Sequence, residues 1–176
     1  MNLQEEITAV LDKCVNQQEA AEYSERLKEG LLTRDENIHS HFCAYFLPYN
    51  PENGTLLIGA HKKSGLWLVP GGHIDKSEGL LETVNREIHE ELGVTDFFTE
   101  KPEPFLLTIT NIVNDVRPCK KHFDVWHVVE TDGKDFEIDH TEYHEVRWVT
   151  ISQARELIED PANLKALSAL ELLKQD

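Results

Sequence analysis

The sequence predicts an α/β or α+β sandwich folded as one unit, and three observations carry that prediction. Short aromatic and apolar runs of strand length recur along the chain. Amphipathic segments of helical period lie around and between them. The two kinds do not alternate regularly, which argues for layered strands and helices rather than a repeating unit. The 176 residues suit one domain with its own core, and no internal repeat, low-complexity tract or long linker divides them.

In chain order, residues 3–32 are polar and rich in Glu, Gln, Lys and Ala, with Ile7, Val10, Leu11 and Val15 at helical spacing. They predict one or two N-terminal helices. Residues 38–49 (IHSHFCAYFLPY) read as a strand stopped by Pro48 and the turn-rich PYNPENG, and residues 55–61 (TLLIGAH) read as its hairpin partner. Residues 66–69 form a short strand ended by Pro70-Gly71-Gly72. Ser77 is placed to cap a helix running to Leu92, with Gly93 as its C-terminal stop. Further strands are expected over 105–113, 123–130 and 146–149. Helices are expected over 152–159 and from Pro161 to about Leu173.

Composition narrows the function. Acidic residues outnumber basic ones 33 to 17, for a formal net charge of −16. Such a surface repels polyanions, so duplex nucleic acid and anionic membranes are poor partners. No apolar run is long enough to cross a bilayer, and the start MNLQEEITAV lacks the basic-then-apolar pattern of a signal peptide, so a cytoplasmic protein is expected. Cys14, Cys43 and Cys119 are few and far apart, fitting neither a disulfide framework nor a zinc site; they read as ordinary thiols.

The chemistry concentrates in residues 71–94, GGHIDKSEGLLETVNREIHEELGV. On a helix turning about 100° per residue, Leu81, Val84, Ile88 and Leu92 form one narrow apolar stripe, and Glu87, Glu90 and Glu91 cluster beside it. As helix design this is poor. Glu87 and Glu91 are like charges four apart, and Glu90 and Glu91 sit at the negative end of the helix dipole. Rules broken locally mark functional sites. A hard divalent cation such as Mg²⁺ removes the conflict by taking carboxylate oxygens, whereas the plain alternative is a solvated acidic face.

Gly72, five residues, Glu78, seven residues, then Arg86-Glu87-Ile88-His89-Glu90-Glu91-Leu92-Gly93-Val94 resembles a complete Nudix box. The flanking LWLVPGG and EVRWV resemble the strands of that family, and the likeness spans roughly residues 38–173. The resemblance implies an α/β/α sandwich around a mixed β-sheet, here a domain over 35–176 preceded by an N-terminal helical extension over 1–34. It implies that Glu87, Glu90, Glu91 and the carbonyl of Gly72 hold Mg²⁺ (or Mn²⁺). It further implies that Glu90 serves as general base, and that Glu78 pairs with Arg86 to orient the helix. The residues alone leave Arg86 another partner, Glu82, four positions earlier. Glu142 and Glu145 are alternative bases, though each also reads as an exposed loop acid. Gly72 has its own rationale, since a residue without Cβ lets backbone approach a metal and phosphate.

The implied activity is Mg²⁺-dependent hydrolysis of a phosphoanhydride bond in a nucleoside diphosphate linked to another moiety. Family marks for ADP-ribose, dinucleoside polyphosphate and coenzyme A substrates are missing; Pro102 and Pro104 come too early for the first. By elimination a (deoxy)nucleoside triphosphate pyrophosphohydrolase leads. A non-catalytic nucleotide-sensing module and an isopentenyl-diphosphate-type isomerase are the alternatives, the latter needing a cysteine such as Cys43. A homodimer is an open expectation. Lys62, Lys63, Arg117, Lys120 and Lys121 are candidates for phosphate contact, although loop lysines here read first as solubilising residues. His122, Asp124 and Trp126 share one face of a strand by alternation. Stacking of a base on Trp126 and reading of its edge by Asp124 compete with plain packing, which is preferred there and for Trp67 and Trp148. His39 and His41 alternate in a weak metal-binding pattern, and nothing rests on His73.

Overall fold

In the computed structural model, which describes residues 2–14, 17–113 and 118–174, five helices and seven strands follow one another. They are α1 (Leu3–Cys14), α2 (Gln17–Glu29), β1 (Ser40–Asn50), β2 (Thr55–His61), β3 (Trp67–Leu68), β4 (Gly71–His73), α3 (Leu80–Leu92), β5 (Leu106–Asn111), β6 (Lys121–Glu130), β7 (Tyr143–Thr150), α4 (Ile151–Leu157) and α5 (Pro161–Leu173). Val15 and Arg117 lie outside the described residues.

β1 is central. It runs parallel to β6 from the Ser40–Lys121 pair to the Tyr49–Glu130 pair, while every other pairing is antiparallel. Its second edge is shared, taking β4 along Cys43–Tyr45 and β2 at Tyr49 and Asn50. β2 in turn carries β7 and β3, and β5 closes the far side of β6. A parallel pair needs a long crossover, and the chain between β1 and β6 includes α3, the helix bearing the acidic face.

Period-two alternation sends β1 side chains into two cores. Phe42, Ala44 and Phe46 pack with Ile7, Tyr23 and Leu27 from α1 and α2 and with Val84, Ile88 and Leu92 from α3. Leu47 and Tyr49 pack on the other face with Ala154 of α4 and Ala166, Leu167 and Leu170 of α5. Helices on both faces of a mixed sheet make the fold an α/β/α sandwich. The N-terminal helices belong to the first core: Tyr23 is fully buried, and its hydroxyl donates to the carbonyls of Thr108 (2.8 Å) and Asp124 (2.6 Å).

Local expectations fail at two places, each with a physical cause. Ser77 does not cap α3; it sits at φ +74°, and the helix begins at Leu80 with Gly79 as N-cap. The cap's work is done by carboxylates, since Glu82 accepts from the Gly79 N–H (3.0 Å) and Glu6 of α1 accepts from the Leu80 N–H (2.9 Å). Secondly, Pro70-Gly71-Gly72 does not simply end a strand, because Gly71–His73 pair with β1 as β4. Gly71 adopts φ +139°, and a Cβ there would lie 2.5 Å from the Ala44 carbonyl oxygen. Other ends follow the sequence. Gly93 adopts φ +75° and donates to the His89 carbonyl (3.0 Å), and Asp160 caps α5 through the Asn163 N–H (2.8 Å) with Pro161 at its first turn.

Candidate active site

The buried face of α3 is wider than its apolar stripe. Leu80, Val84, Ile88 and Leu92 are in the core, Leu81 is only half-buried, and Glu87 and Glu91 are buried beside them at 7 % exposure each. Glu90 is the open one, with 56 % of its side chain exposed. Arg86 stands at the centre of this group. Its Nε and Nη2 donate to both oxygens of Glu78 (2.7 and 3.0 Å), its Nη1 donates to Glu87 (2.7 Å) and Glu90 (3.2 Å), and its Nη2 also donates to the His73 carbonyl (2.9 Å). Of the two partners open to Arg86 in the sequence, the structure selects Glu78; Glu82 is turned to the helix N-terminus. Glu78 also accepts from the Thr83 hydroxyl (2.8 Å) and the Asp75 N–H (3.2 Å).

Gly72 lies against the Glu87 carboxylate so closely that a Cβ there would sit 2.3 Å from its Oε1. Glu91 accepts from the Tyr143 hydroxyl (2.7 Å) and, at 3.4 Å, from the Gly71 N–H. Tyr143 is thus a site residue that sequence reasoning missed. It directly follows Glu142 at the start of β7, and its reach to α3 exists only once the sheet is folded.

The electrostatics are those of an under-neutralised acidic wall. Burial pushes Glu91 up to about 8 and Glu87 up to about 7, with Arg86 opposing the rise at Glu87 and neighbouring carboxylates adding to both. At Glu78 burial also raises the pKa, but the hydrogen bonds from Arg86 and Thr83 outweigh it and hold the carboxyl below its ordinary value. Hydrogen bonding to Glu78, together with the charge of Glu87, raises the guanidinium of Arg86 further. Arg86, Glu87, Glu90 and Glu91 open onto a cavity of about 900 Å³ whose lining includes eight acidic residues and three basic ones, Arg34, Lys63 and Arg86.

Other expected residues divide clearly. Glu142 lines the cavity, paired with Lys63 (2.6 Å) and His61 (3.4 Å). Glu145 is away from it, bound to Arg147 (2.6 Å) on the exposed side of β7. Lys62 donates to the His140 carbonyl, Lys121 pairs with Glu22 of α2, and Lys120 is exposed beside β6; none of these three lines the cavity. Asp124 and Trp126 do border it, as alternation suggested, with β5 supplying Thr108 and Thr110 as hydroxyl donors to Asp124 (3.0 and 2.6 Å). Trp126 is nevertheless a packing residue, fully buried with its ring stacked on Tyr45 (4.8 Å) and its N–H donated to Thr108. Trp67 lies under Arg147, and Trp148 stacks on Phe136.

A second group lies behind the same cavity, reaching it through His73 and His122. His41 and Cys43 on β1, His73 on β4 and His122 on β6 offer ligand atoms that all lie within 4.8 Å of one another. Their strands set the meeting, since His41 is in register with His122 and Cys43 with His73. Burial first, then the neighbouring positive charges, hold His73 and His122 down to about 3, so their rings are neutral. His39 is not among them; its Nδ1 bonds the Pro118 carbonyl (2.9 Å). Among the described residues no helix is long and apolar enough to cross a membrane.

Comparison with known proteins gives these features a context. The family model described as NUDIX domain matches residues 39–170. The chain is similar to the structure of the E. coli dihydroneopterin triphosphate pyrophosphohydrolase, with TM-score 0.60, 16 % identity, and 72 % of this chain and 91 % of that one covered. It is similar to the MutT protein from Methanosarcina mazei Go1, with TM-score 0.58, 22 % identity, and coverage of 73 % and 90 %. It also resembles a C. elegans Ap4A hydrolase, with TM-score 0.58, 16 % identity, and coverage of 76 % and 97 %. No curated protein matches the chain.

Proposed function

The chain belongs to the Nudix family of pyrophosphohydrolases, and from that premise we propose that it hydrolyses a (deoxy)nucleoside triphosphate to the monophosphate and pyrophosphate in the presence of Mg²⁺. The observation that carries this reading is the convergence of Glu87, Glu90 and Glu91 on a cavity wall where the nearest cation, Arg86, is already held by Glu78. A polyphosphate entering so acidic a cavity needs additional positive charge. The donor set suits a hard oxygen-seeking ion: three carboxylates, two of them buried at raised pKa, and beside Glu87 a glycine whose missing side chain keeps its carbonyl approachable.

In this reading Glu87, Glu90, Glu91 and the Gly72 carbonyl would hold Mg²⁺, with Mn²⁺ as a substitute. Bound there, the ion supplies charge neutralisation on the phosphate oxygens and favours ionisation of water. Glu90, the exposed member, is placed to accept the proton of the attacking water on a carboxylate oxygen, a role typically worth about 10²–10⁴-fold in rate. Glu78 and Arg86 act as a clamp, fixing Glu87 and Glu90 on one side and, through the His73 carbonyl, the strand that carries Gly72 on the other. Tyr143 orients Glu91. Arg34 and Lys63, the latter paired with Glu142, line the same cavity and are the candidates to meet phosphate. The triphosphate preference is supported by the missing marks of other substrate classes and by the triphosphate-cleaving neighbour.

The test is a substrate panel with Mg²⁺: nucleoside triphosphates, oxidised nucleotides, ADP-ribose, nucleotide sugars and dinucleoside polyphosphates, with products identified. Pyrophosphate and a monophosphate should appear from a triphosphate, and Glu90→Gln should lower kcat by about 10²–10⁴-fold with circular dichroism unchanged. Undiminished turnover in that variant would remove Glu90 from the mechanism.

A further inference from the structure

We propose that His41, Cys43, His73 and His122 form a second metal site that binds Zn²⁺ as a closed structural centre, separate from the acidic face of α3. Three neutral imidazoles and a thiol are the donors of a borderline-soft transition ion, whereas Mg²⁺ requires oxygen. A tetrahedral zinc with its usual bond lengths places ligand atoms roughly 3.3–3.8 Å apart. The four groups here already lie within 4.8 Å of one another, so the widest pair needs to close by only about 1 Å.

Three further observations point to a ligand rather than to packing. His122 Nε2 is buried and has no hydrogen-bond partner, a cost that a core built only for packing avoids with an apolar residue. His41 is oriented from behind. Its Nδ1 lies 2.9 Å from the Asn37 carbonyl, which can only accept, so Nδ1 carries the proton and Nε2 keeps the lone pair. A backbone carbonyl on the far nitrogen is the usual support of a metal-bound imidazole. Finally, the ligands sit on three adjacent strands, β4, β1 and β6, in direct register, so the backbone ladder holds the arrangement before any ion arrives.

Binding forms one Zn–S and three Zn–N bonds and releases the Cys43 thiol proton to buffer. Four protein ligands leave no open position, so the ion acts as a brace. It ties β4 to β1 and β6, and β4 carries Gly72 and the His73 carbonyl that Arg86 grips. The cavity wall is thus fixed from the strand side as Glu78 and Arg86 fix it from the helix side. Cys119, whose Sγ is 3.8 Å from His41 Nε2, stands just outside the set.

The experiment uses the full chain stripped with a chelator, then reloaded with Zn²⁺ in excess Mg²⁺ and dialysed. One retained zinc per chain is expected, and Co²⁺ in its place should give the intense visible bands of a tetrahedral ion with a thiolate-to-cobalt charge-transfer band. Cys43→Ser should abolish the charge-transfer band, and His122→Ala should weaken Zn²⁺ binding by at least about a hundredfold against a chromophoric chelator. Glu87→Gln and Glu90→Gln should leave both readouts unchanged, which separates this site from the proposed Mg²⁺ site. Should Cys43→Ser fail to fold, Cys119→Ser decides the sulfur: a retained band assigns it to Cys43, and a lost band overturns the assignment. No retained zinc, or zinc lost on Glu87→Gln and kept on His122→Ala, would overturn the proposal.

Discussion

Two neighbouring side-chain clusters, both of which reach one cavity, are built on opposite principles. The wall from α3 gathers carboxylates on a single helix, where residues three and four apart become neighbours by helical period alone. The strand-borne group gathers imidazoles and a thiol from positions 41, 43, 73 and 122, of which only His73 and His122 line the cavity, and they meet only because three strands pair in one particular register. The first offers hard oxygen donors with one cation among them; the second offers neutral nitrogen and sulfur. A local pattern can therefore announce a site before folding, whereas a site spread across strands stays silent until the sheet exists.

The sharpest way to break the contrast is to remove the single cation of the acidic wall. Arg86→Ala leaves Glu78, Glu87 and Glu90 facing one another and strands a largely buried carboxylate. It should destabilise the metal-free protein by about 3–5 kcal/mol, read from denaturant unfolding, and abolish turnover. A loss under about 1 kcal/mol would show that the wall is not organised by Arg86. Next in size, Gly72→Ala places a Cβ where the Glu87 carboxylate sits, so the carboxylate or β4 must shift; kcat should fall about 10²-fold with little change in KM. Activity close to that of the parent protein would mean that Glu87 has room to spare.

Tyr143→Phe deletes one hydrogen bond to Glu91 and nothing else, so the expected cost is about 1–2 kcal/mol in stability and a smaller loss of rate than at Gly72. A loss of activity equal to that of Glu90→Gln would give the hydroxyl a chemical role. The smallest effect separates the two clusters by pH, measured as Tm in a chelator. Glu91 is pushed up to about 8 by burial, above an unfolded carboxylate near 4.3, so its contribution is present at low pH and lost as pH rises through that window. Glu91→Gln, which cannot ionise, should gain Tm relative to the parent between pH 5 and pH 8. His122 behaves oppositely. Held down to about 3 by burial, it contributes above about pH 6.5 and loses that contribution as pH falls. A Glu91→Gln curve parallel to the parent's would remove the buried-carboxylate account.

Much of the architecture was legible along the chain. The strands at 55–61 and 123–130, the stop at Gly93 and the helix opened by Pro161 are recorded in neighbouring residues, because turn chemistry and periodicity act over a few positions. The spacing of Glu78, Arg86, Glu87, Glu90 and Glu91 is likewise visible; helical spacing alone also offers Glu82 as a partner of Arg86, and the family resemblance favours Glu78. Ser77 misled because capping competes with tertiary partners, and carboxylates from Glu82 and Glu6 took the helix end. β4 was missed because Gly71 and Gly72 look like a turn unless β1 lies alongside.

What the sequence by itself determined, then, is the acidic helix and the family to which the chain belongs, because one helical turn brings those residues together whatever surrounds them. Only tertiary structure decided that α1 and α2 share the core with α3, that Tyr143 reaches Glu91, and that His41 rather than His39 meets His73, His122 and Cys43. Those meetings depend on strand register and crossover, which join residues dozens of positions apart and leave no periodic trace in the chain.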